Sequence, residues 1–160
     1  MKYTYQIYTL QNFSPTFTKR QVKSPKIFFT DTGVLCHVLD IENPEVLEKH
    51  SSKGAIIETF VFSEILKQLS YINKNIQFFF HSSSDKREID FLLINDGKIT
   101  AIEIKASKIV SKEDFKQIKA IQNQYTHIEK KFNAGYILYL GDHIVPFSDA
   151  TFAIPIQYVL

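Results

Sequence analysis

The sequence predicts an α/β fold in which a mixed sheet of four core strands is flanked by helices and preceded by an N-terminal extension. Three observations carry this. A hairpin, EIDFLLINDGKITAIEIK, runs from Glu88 to Lys105 around Asp96-Gly97, the dipeptide best suited to a two-residue type I′ loop. Helical apolar spacing stands on both sides of it, from Gly54 to about Tyr71 and again from Ser111. Both faces of the hairpin are largely apolar, with Phe91 and Leu93 on one and Leu92, Ile94 and Ile99 on the other, so each face requires a covering layer. At 160 residues and 44% apolar composition the chain has the size of one globular domain with a proper core.

Residues 1–50 read as the extension. Tyr3, Tyr5 and Ile7 alternate as a strand ending near Ser14-Pro15, and KRQVKSPK is a polar connection. KIFFT, from Lys26 to Thr30, is a short strand; Asp31 or Thr32 caps a brief helix carrying Val34, Leu35, Val38 and Leu39. Cys36 and His37 are packing or surface residues there. Asn43-Pro44 breaks the chain again.

The core reads as 51–160. On the wheel of the first long helix, at about 100° per residue, Ala55, Val61, Phe62, Ile65 and Leu69 form one apolar stripe and Glu58 falls in its middle. A carboxylate facing the core needs a cation, a metal, a donor or a proton. Glu64 lies on the flank, where a solvated glutamate belongs. Strands follow over about 76–82, 88–95 and 98–105.

If Asp96 and Gly97 form the loop, Asn95 pairs with Lys98, and counting back through the ladder sets Asp90 opposite Glu103. Opposed side chains have Cβ atoms roughly 4.5–5.5 Å apart. Two carboxylates that close need a shared proton or a cation between them. Lys105 lies two residues beyond Glu103 and so shares its face, while Ile102 and Ile104 point away. Ser111 and Asp114 make a capping-box-like start for a second long helix with Phe115, Ile118, Ile121, Tyr125, Ile128 and Phe132 at helical spacing. Asn133-Ala134-Gly135 is expected to end it, YILYL to form a buried strand, and FAIPIQYVL, with Pro155 unable to donate, to form an edge strand.

Composition narrows the function classes. A formal charge of +2 is too small to argue for nucleic acid by itself. The single cysteine excludes an internal disulfide and a cysteine-based zinc site. No apolar run approaches a membrane span and the opening lacks a signal-peptide pattern, so the expectation is a cytoplasmic protein with no membrane partner.

Glu58, Asp90, Glu103 and Lys105 are the residues with chemistry to offer. Hard carboxylate oxygens suit Mg²⁺ or Mn²⁺, and such a cation with Lys105 beside it points to metal-assisted phosphodiester hydrolysis. The residues alone leave a second reading open, a structural ion cluster in which Lys105 neutralises two carboxylates. His81, with Ser82 to Ser84, and Lys86 and Arg87 lie at the expected rim, where His81 and Arg87 are candidates for substrate contact and equally for a strand hydrogen bond and turn solubility. Lys112, Lys116, Lys119 and Lys130 line one helix stripe that suits a phosphate backbone or an ordinary solvated face.

Asp90, a twelve-residue gap and Glu103-Ile104-Lys105 resemble the D-x(n)-E-x-K signature of the PD-(D/E)xK nuclease superfamily. Together with KIFFTDTGVL, GAIIETFVFSEIL and GYILYLGD, from about Lys26 to Asp142, the chain is similar to a nuclease-like domain of unknown function found at the C-terminus of bacterial and archaeal AAA-type ATPases. Ile89 stands where the superfamily's eponymous proline would be. The resemblance implies a restriction-endonuclease-like αβββαβ core and metal-dependent hydrolysis of DNA. It implies that Asp90 and Glu103, with the Ile104 carbonyl, hold Mg²⁺ or Mn²⁺, that Glu58 completes the acidic set, and that Lys105 assists the attacking water. Gln117 and Lys116 match the glutamine or lysine that some such families carry on the following helix. DNA and an AAA-type ATPase, as partner or as parent chain, are the implied partners. The alternative is a non-catalytic module of the same fold that binds nucleic acid or that ATPase. No G-x-x-x-x-G-K-[ST] loop occurs, so ATP hydrolysis does not carry over.

Overall fold

The computed structural model describes residues 6–13, 24–72, 75–82, 88–125 and 131–159. The chain falls into two compact units, one drawn from Met1–Thr9 and Ile27–Asn73, the other from Leu10–Lys26 and Lys74–Val159. Tyr3, Tyr5, Lys86, Arg87, Ile128 and Lys130 lie outside the described residues.

The first unit holds most of a two-stranded sheet, β1 (Ile7–Leu10) with β2 (Lys26–Phe29), and three helices, α1 (Thr32–Val38), α2 (Pro44–Lys49) and α3 (Lys53–Tyr71). Each short helix starts where a side chain replaces a missing backbone acceptor: Asp31 accepts from Val34 N–H at 3.1 Å, and Asn43 from Val46 N–H at 2.9 Å. α3 buries Ile56, Val61, Phe62 and Ile65, and the Phe62 ring stacks on Phe28 at 4.2 Å and tilts against Tyr8 at 5.3 Å.

The second unit is a six-stranded mixed sheet in the order β3-β4-β5-β6-β8-β7, in which β5–β6 and β6–β8 are parallel and the remaining pairs antiparallel. β3 is Gln77–Ser82, β4 Glu88–Asn95 and β5 Lys98–Lys105. The hairpin between β4 and β5 is the expected one. Asp96 and Gly97 both have positive φ, 48° and 74°, as a type I′ turn requires, and the register runs from Asn95↔Lys98 to Phe91↔Ile102. A capping box of Ser111 with Asp114 opens a 3-10 turn, Lys112–Phe115, that leads into α4 (Lys116–Tyr125). Phe115, Ile118, Ile121 and Tyr125 enter one core with Leu92, Ile94, Ile99, Ala101 and Ile137.

Three expectations are corrected. Beyond the four core strands and the expected C-terminal strand, β8 (Thr151–Pro155), the sheet holds a sixth that was not expected, β7 (Val145–Ser148). β7 is short and exposed along its whole length, so it carries no apolar periodicity to read. β8 lies inside the sheet, and Pro155 is tolerated because it is the last residue of the strand; the edge belongs to β7, which carries Pro146. The helix from 111 does not reach Phe132. α4 ends at Tyr125, and Phe132 with Asn133-Ala134-Gly135 belongs to β6 (Lys131–Tyr139), which runs parallel to β5. Gly135 therefore marks close packing instead of a helix end: a Cβ there would stand 2.2 Å from Ile118 Cγ2 on α4.

One irregularity shapes β4. Phe79 pairs with Leu92 but His81 with Ile89, so Asp90 and Phe91 together face Phe80 alone, a bulge that re-aims side chains. On the outer side of β3, Phe13 N–H donates to Phe80 C=O at 2.7 Å and Phe80 N–H to Gln11 C=O at 3.1 Å. The Asn12 amide continues that edge by bonding both the N–H and the C=O of Ser82. Among the described residues no helix is long and apolar enough to cross a membrane.

Gly135→Ala is expected to destabilise the protein by about 1–3 kcal/mol, since Ile118, Phe132 and Thr151 all crowd the added methyl. Urea unfolding with an unchanged m-value would register it; an unshifted midpoint would mean that α4 stands off β6.

Candidate functional site

The ladder between β4 and β5 stops at Phe91↔Ile102, one pair short of Asp90 and Glu103. Regular pairing would turn the Ile104 N–H toward the carbonyl of Ile89. Instead it donates to Oδ2 of Asp90 at 2.8 Å. The register is thus the expected one, and at the bulge a side chain stands in for the strand.

The other Asp90 oxygen, Oδ1, lies 3.4 Å from Nζ of Lys26, which also holds Oε1 of Glu88 at 2.6 Å. The Lys26 ammonium stands 5.6 Å over the Phe80 ring. Across from this, Lys105 Nζ contacts Glu103 Oε1 at 3.0 Å, while Glu103 Oε2 is buried with no hydrogen-bond partner. The Asp90 and Glu103 side chains are only 16% and 12% exposed.

Electrostatics follow from that burial. Desolvation, reinforced by the Asp90 charge, pushes the Glu103 carboxyl up to about 7, against the opposing pull of Lys105 and the Asp90 backbone amide. Lys105 loses hydration as well. Glu103, and then Asp114 and Asp90, outweigh that loss, so its pKa lies above the ordinary lysine value and it remains an ammonium. The second unit therefore offers two half-buried carboxylates, one of them with a buried, orphaned oxygen, and two lysines beside them.

The other expected residues lie on other elements. Glu58 is half-buried on α3 and belongs to the first unit, whereas Asp90, Glu103 and Lys105 all belong to the second. His81 is buried on β3 opposite Ile89. Gln117 is half-buried on α4; Lys116 is exposed and ion-paired to Glu113. Arg87 lies outside the described residues. Ile104 is buried, and what it gives Asp90 is its N–H. Among the described residues, no group of three or more His, Cys, Asp or Glu side chains gathers in a way that would hold a metal ion.

Lys26 was not expected. It begins KIFF, whose apolar run reads only as a strand, and its partners lie more than sixty positions away in the sequence, beyond the reach of periodicity.

A family model described as a domain of unknown function, DUF4143, matches residues 53–159, which take in α3, the hairpin, α4 and the strands beyond. The chain belongs to that family. A second model, the domain of unknown function DUF8612, matches residues 1–45. Lys26 therefore comes from the stretch matched by DUF8612, while Asp90, Glu103 and Lys105 come from the DUF4143 stretch. The chain is similar to the uncharacterised proteins Mb2031c of Mycobacterium bovis and Rv2008c of Mycobacterium tuberculosis, each 29% identical over 142 residues. The match covers 89% of this chain and 30% of each relative, so the chain spans less than a third of their length.

The raised Glu103 value fixes a pH dependence. Its folded pKa, about 7, exceeds the reference 4.5, so the folded state binds more protons between those values. The corresponding stability is complete below pH 4.5 and is lost as pH rises through 7. Without divalent cations, Glu103→Gln should flatten this slope and leave the variant more stable than the parent at pH 8, by on the order of 1–3 kcal/mol. Denaturant midpoints of the two proteins from pH 4.5 to 8 measure it. Parallel curves would show that Glu103 ionises without penalty.

Proposed function

We propose that the chain is a metal-dependent phosphodiesterase with a restriction-endonuclease-like core, acting on DNA. The observation that carries the reading is the geometry at the end of the hairpin: two half-buried carboxylates at the point where β4 and β5 part, with a cationic lysine on Glu103. The αβββαβ order from α3 to β6 supports it.

The donors suit Mg²⁺ or Mn²⁺. These ions accept one or two carboxylates and complete their shell with water. Asp90 and Glu103 would hold the ion, with the Ile104 carbonyl as a further oxygen, and the orphaned Oε2 of Glu103 is a ligand atom in want of a cation. Such an ion supplies Lewis-acid polarisation of a phosphoryl oxygen and acidifies water. The protein's own residues do the rest. The Ile104 N–H orients the Asp90 carboxylate, and burial of Glu103 strengthens its demand for positive charge. Lys105, kept protonated by Glu103, stabilises negative charge that grows on the phosphoryl oxygens and positions the attacking water. The resemblance gives Glu58 a share in the acidic set; the roles of Asp90, Glu103 and Lys105 rest on residues of the second unit alone.

One observation favours a second reading. Lys26 and Lys105 already contact Asp90 and Glu103 from within the protein, as in a structural ion cluster. A non-catalytic module that binds nucleic acid or an AAA-type ATPase would need no more.

Purified protein incubated with single-stranded, duplex and branched DNA and Mg²⁺ or Mn²⁺ is expected to cleave at least one of them. Asp90→Ala should abolish cleavage, and Lys105→Ala should lower kcat roughly 10²–10³-fold. Cleavage that survives Asp90→Ala would reject the site. A complete lack of cleavage, together with DNA binding that Asp90→Ala leaves intact, would select the non-catalytic module.

A further inference from the structure

Asp90 divides its carboxylate between two donors of different kinds. Oδ2 is held by a backbone N–H that the sheet fixes in place, so Oδ1 is the oxygen available to exchange partners, and the group on it is Lys26. We propose that Lys26 is the protein's own counter-ion for Asp90, and that it competes with a divalent cation for this carboxylate and so sets the cation affinity of the site. The inference rests on the phosphodiesterase reading for one premise, that Asp90 and Glu103 receive such a cation.

The geometry of Lys26 suits a displaceable charge. Its contact to Oδ1 is 3.4 Å, and its contact to Glu88 is the shorter one at 2.6 Å. Giving up Asp90 therefore costs one long contact and leaves the ammonium paired. The side chain is 22% exposed, and its charge also rests over the Phe80 ring, so it keeps a position beside the site after release. A compact ammonium on a flexible stem makes such a shift through its own torsions, without moving a strand. While Lys26 remains on Oδ1, its positive charge repels an incoming cation and occupies a ligand atom. Lys105 plays a different part, because it contacts Glu103 and leaves Asp90 Oδ1 alone. Lys26 lies in the 1–45 stretch and Asp90 in the 53–159 stretch, so one matched segment would tune the cation affinity of the other.

The test is calorimetric titration of the full chain with Mn²⁺, paired with the shift in melting midpoint that Mn²⁺ produces. Lys26→Met is expected to bind Mn²⁺ about tenfold more tightly than the parent and to show the larger thermal shift. Lys26→Arg, which keeps the charge, should stay near the parent affinity, and Asp90→Asn should lose binding. Detectable binding in Lys26→Met alone supports the proposal equally. Equal or weaker binding by a cooperatively melting Lys26→Met, with Asp90→Asn still null, overturns the role of Lys26 and leaves the phosphodiesterase reading standing. Failure of every protein to bind Mn²⁺ overturns both. If Met at position 26 prevents folding, Lys26→Gln removes the charge while keeping a donor, and the same outcomes apply.

Discussion

The site depends on the hydrogen bond from the Ile104 N–H to Oδ2 of Asp90. Where β4 and β5 stop pairing, each strand would leave backbone groups without partners, and a buried orphan of that kind costs about as much as the hydrogen bond it lacks. A carboxylate is a stronger acceptor than the carbonyl it replaces. It also brings a charge, and at this register the residue opposite is another carboxylate. The sheet thus closes its own end by creating an electrostatic problem. Lys26 and Lys105 answer it in part.

How that problem is distributed explains the difference between the two acids. Asp90 has a donor for each oxygen, the backbone amide and Lys26. Glu103 has Lys105 on one oxygen and nothing on the other, so its desolvation, reinforced by the Asp90 charge, is only partly compensated and its affinity for a proton rises. Asp114, at the head of α4, adds to the field that keeps Lys105 charged. The capping box that starts the helix therefore also serves the site.

The hairpin and its register were legible because a two-residue turn with positive φ admits few residue types, and period-2 alternation then places every side chain that follows. Asp90, Glu103 and Lys105 could be set on one surface by counting. Much of the rest needed tertiary information. Gly135 looks like a helix stop and is in fact a strand residue on which Ile118 rests, a fact of packing between elements that no local pattern contains. The β7 strand has no apolar rhythm because it is exposed throughout. Lys26 heads an unremarkable apolar strand, and only the fold gives it Glu88 and Asp90 as neighbours. Glu58 is a case where the wheel overstates burial. The helical wheel gave it a buried place, and in the structure it is half-buried, on a helix of the other compact unit.

Charge balance joins these observations. Glu88 is half-exposed and solvated, so the part of Lys26 that answers to it does little for Asp90 and Glu103. Asp90 and Glu103 are then left with Lys105 and a shared fraction of Lys26, short of about one positive charge. Two species can make up that deficit: a proton on Glu103 or a cation between the carboxylates. They exclude each other, because both claim the lone pairs of the same buried oxygen. A structural ion cluster and a hydrolytic site are thus the same set of residues with the deficit filled in two ways. Lys26 bears on both, since the more of its charge it lends to Asp90, the smaller the deficit that either must fill.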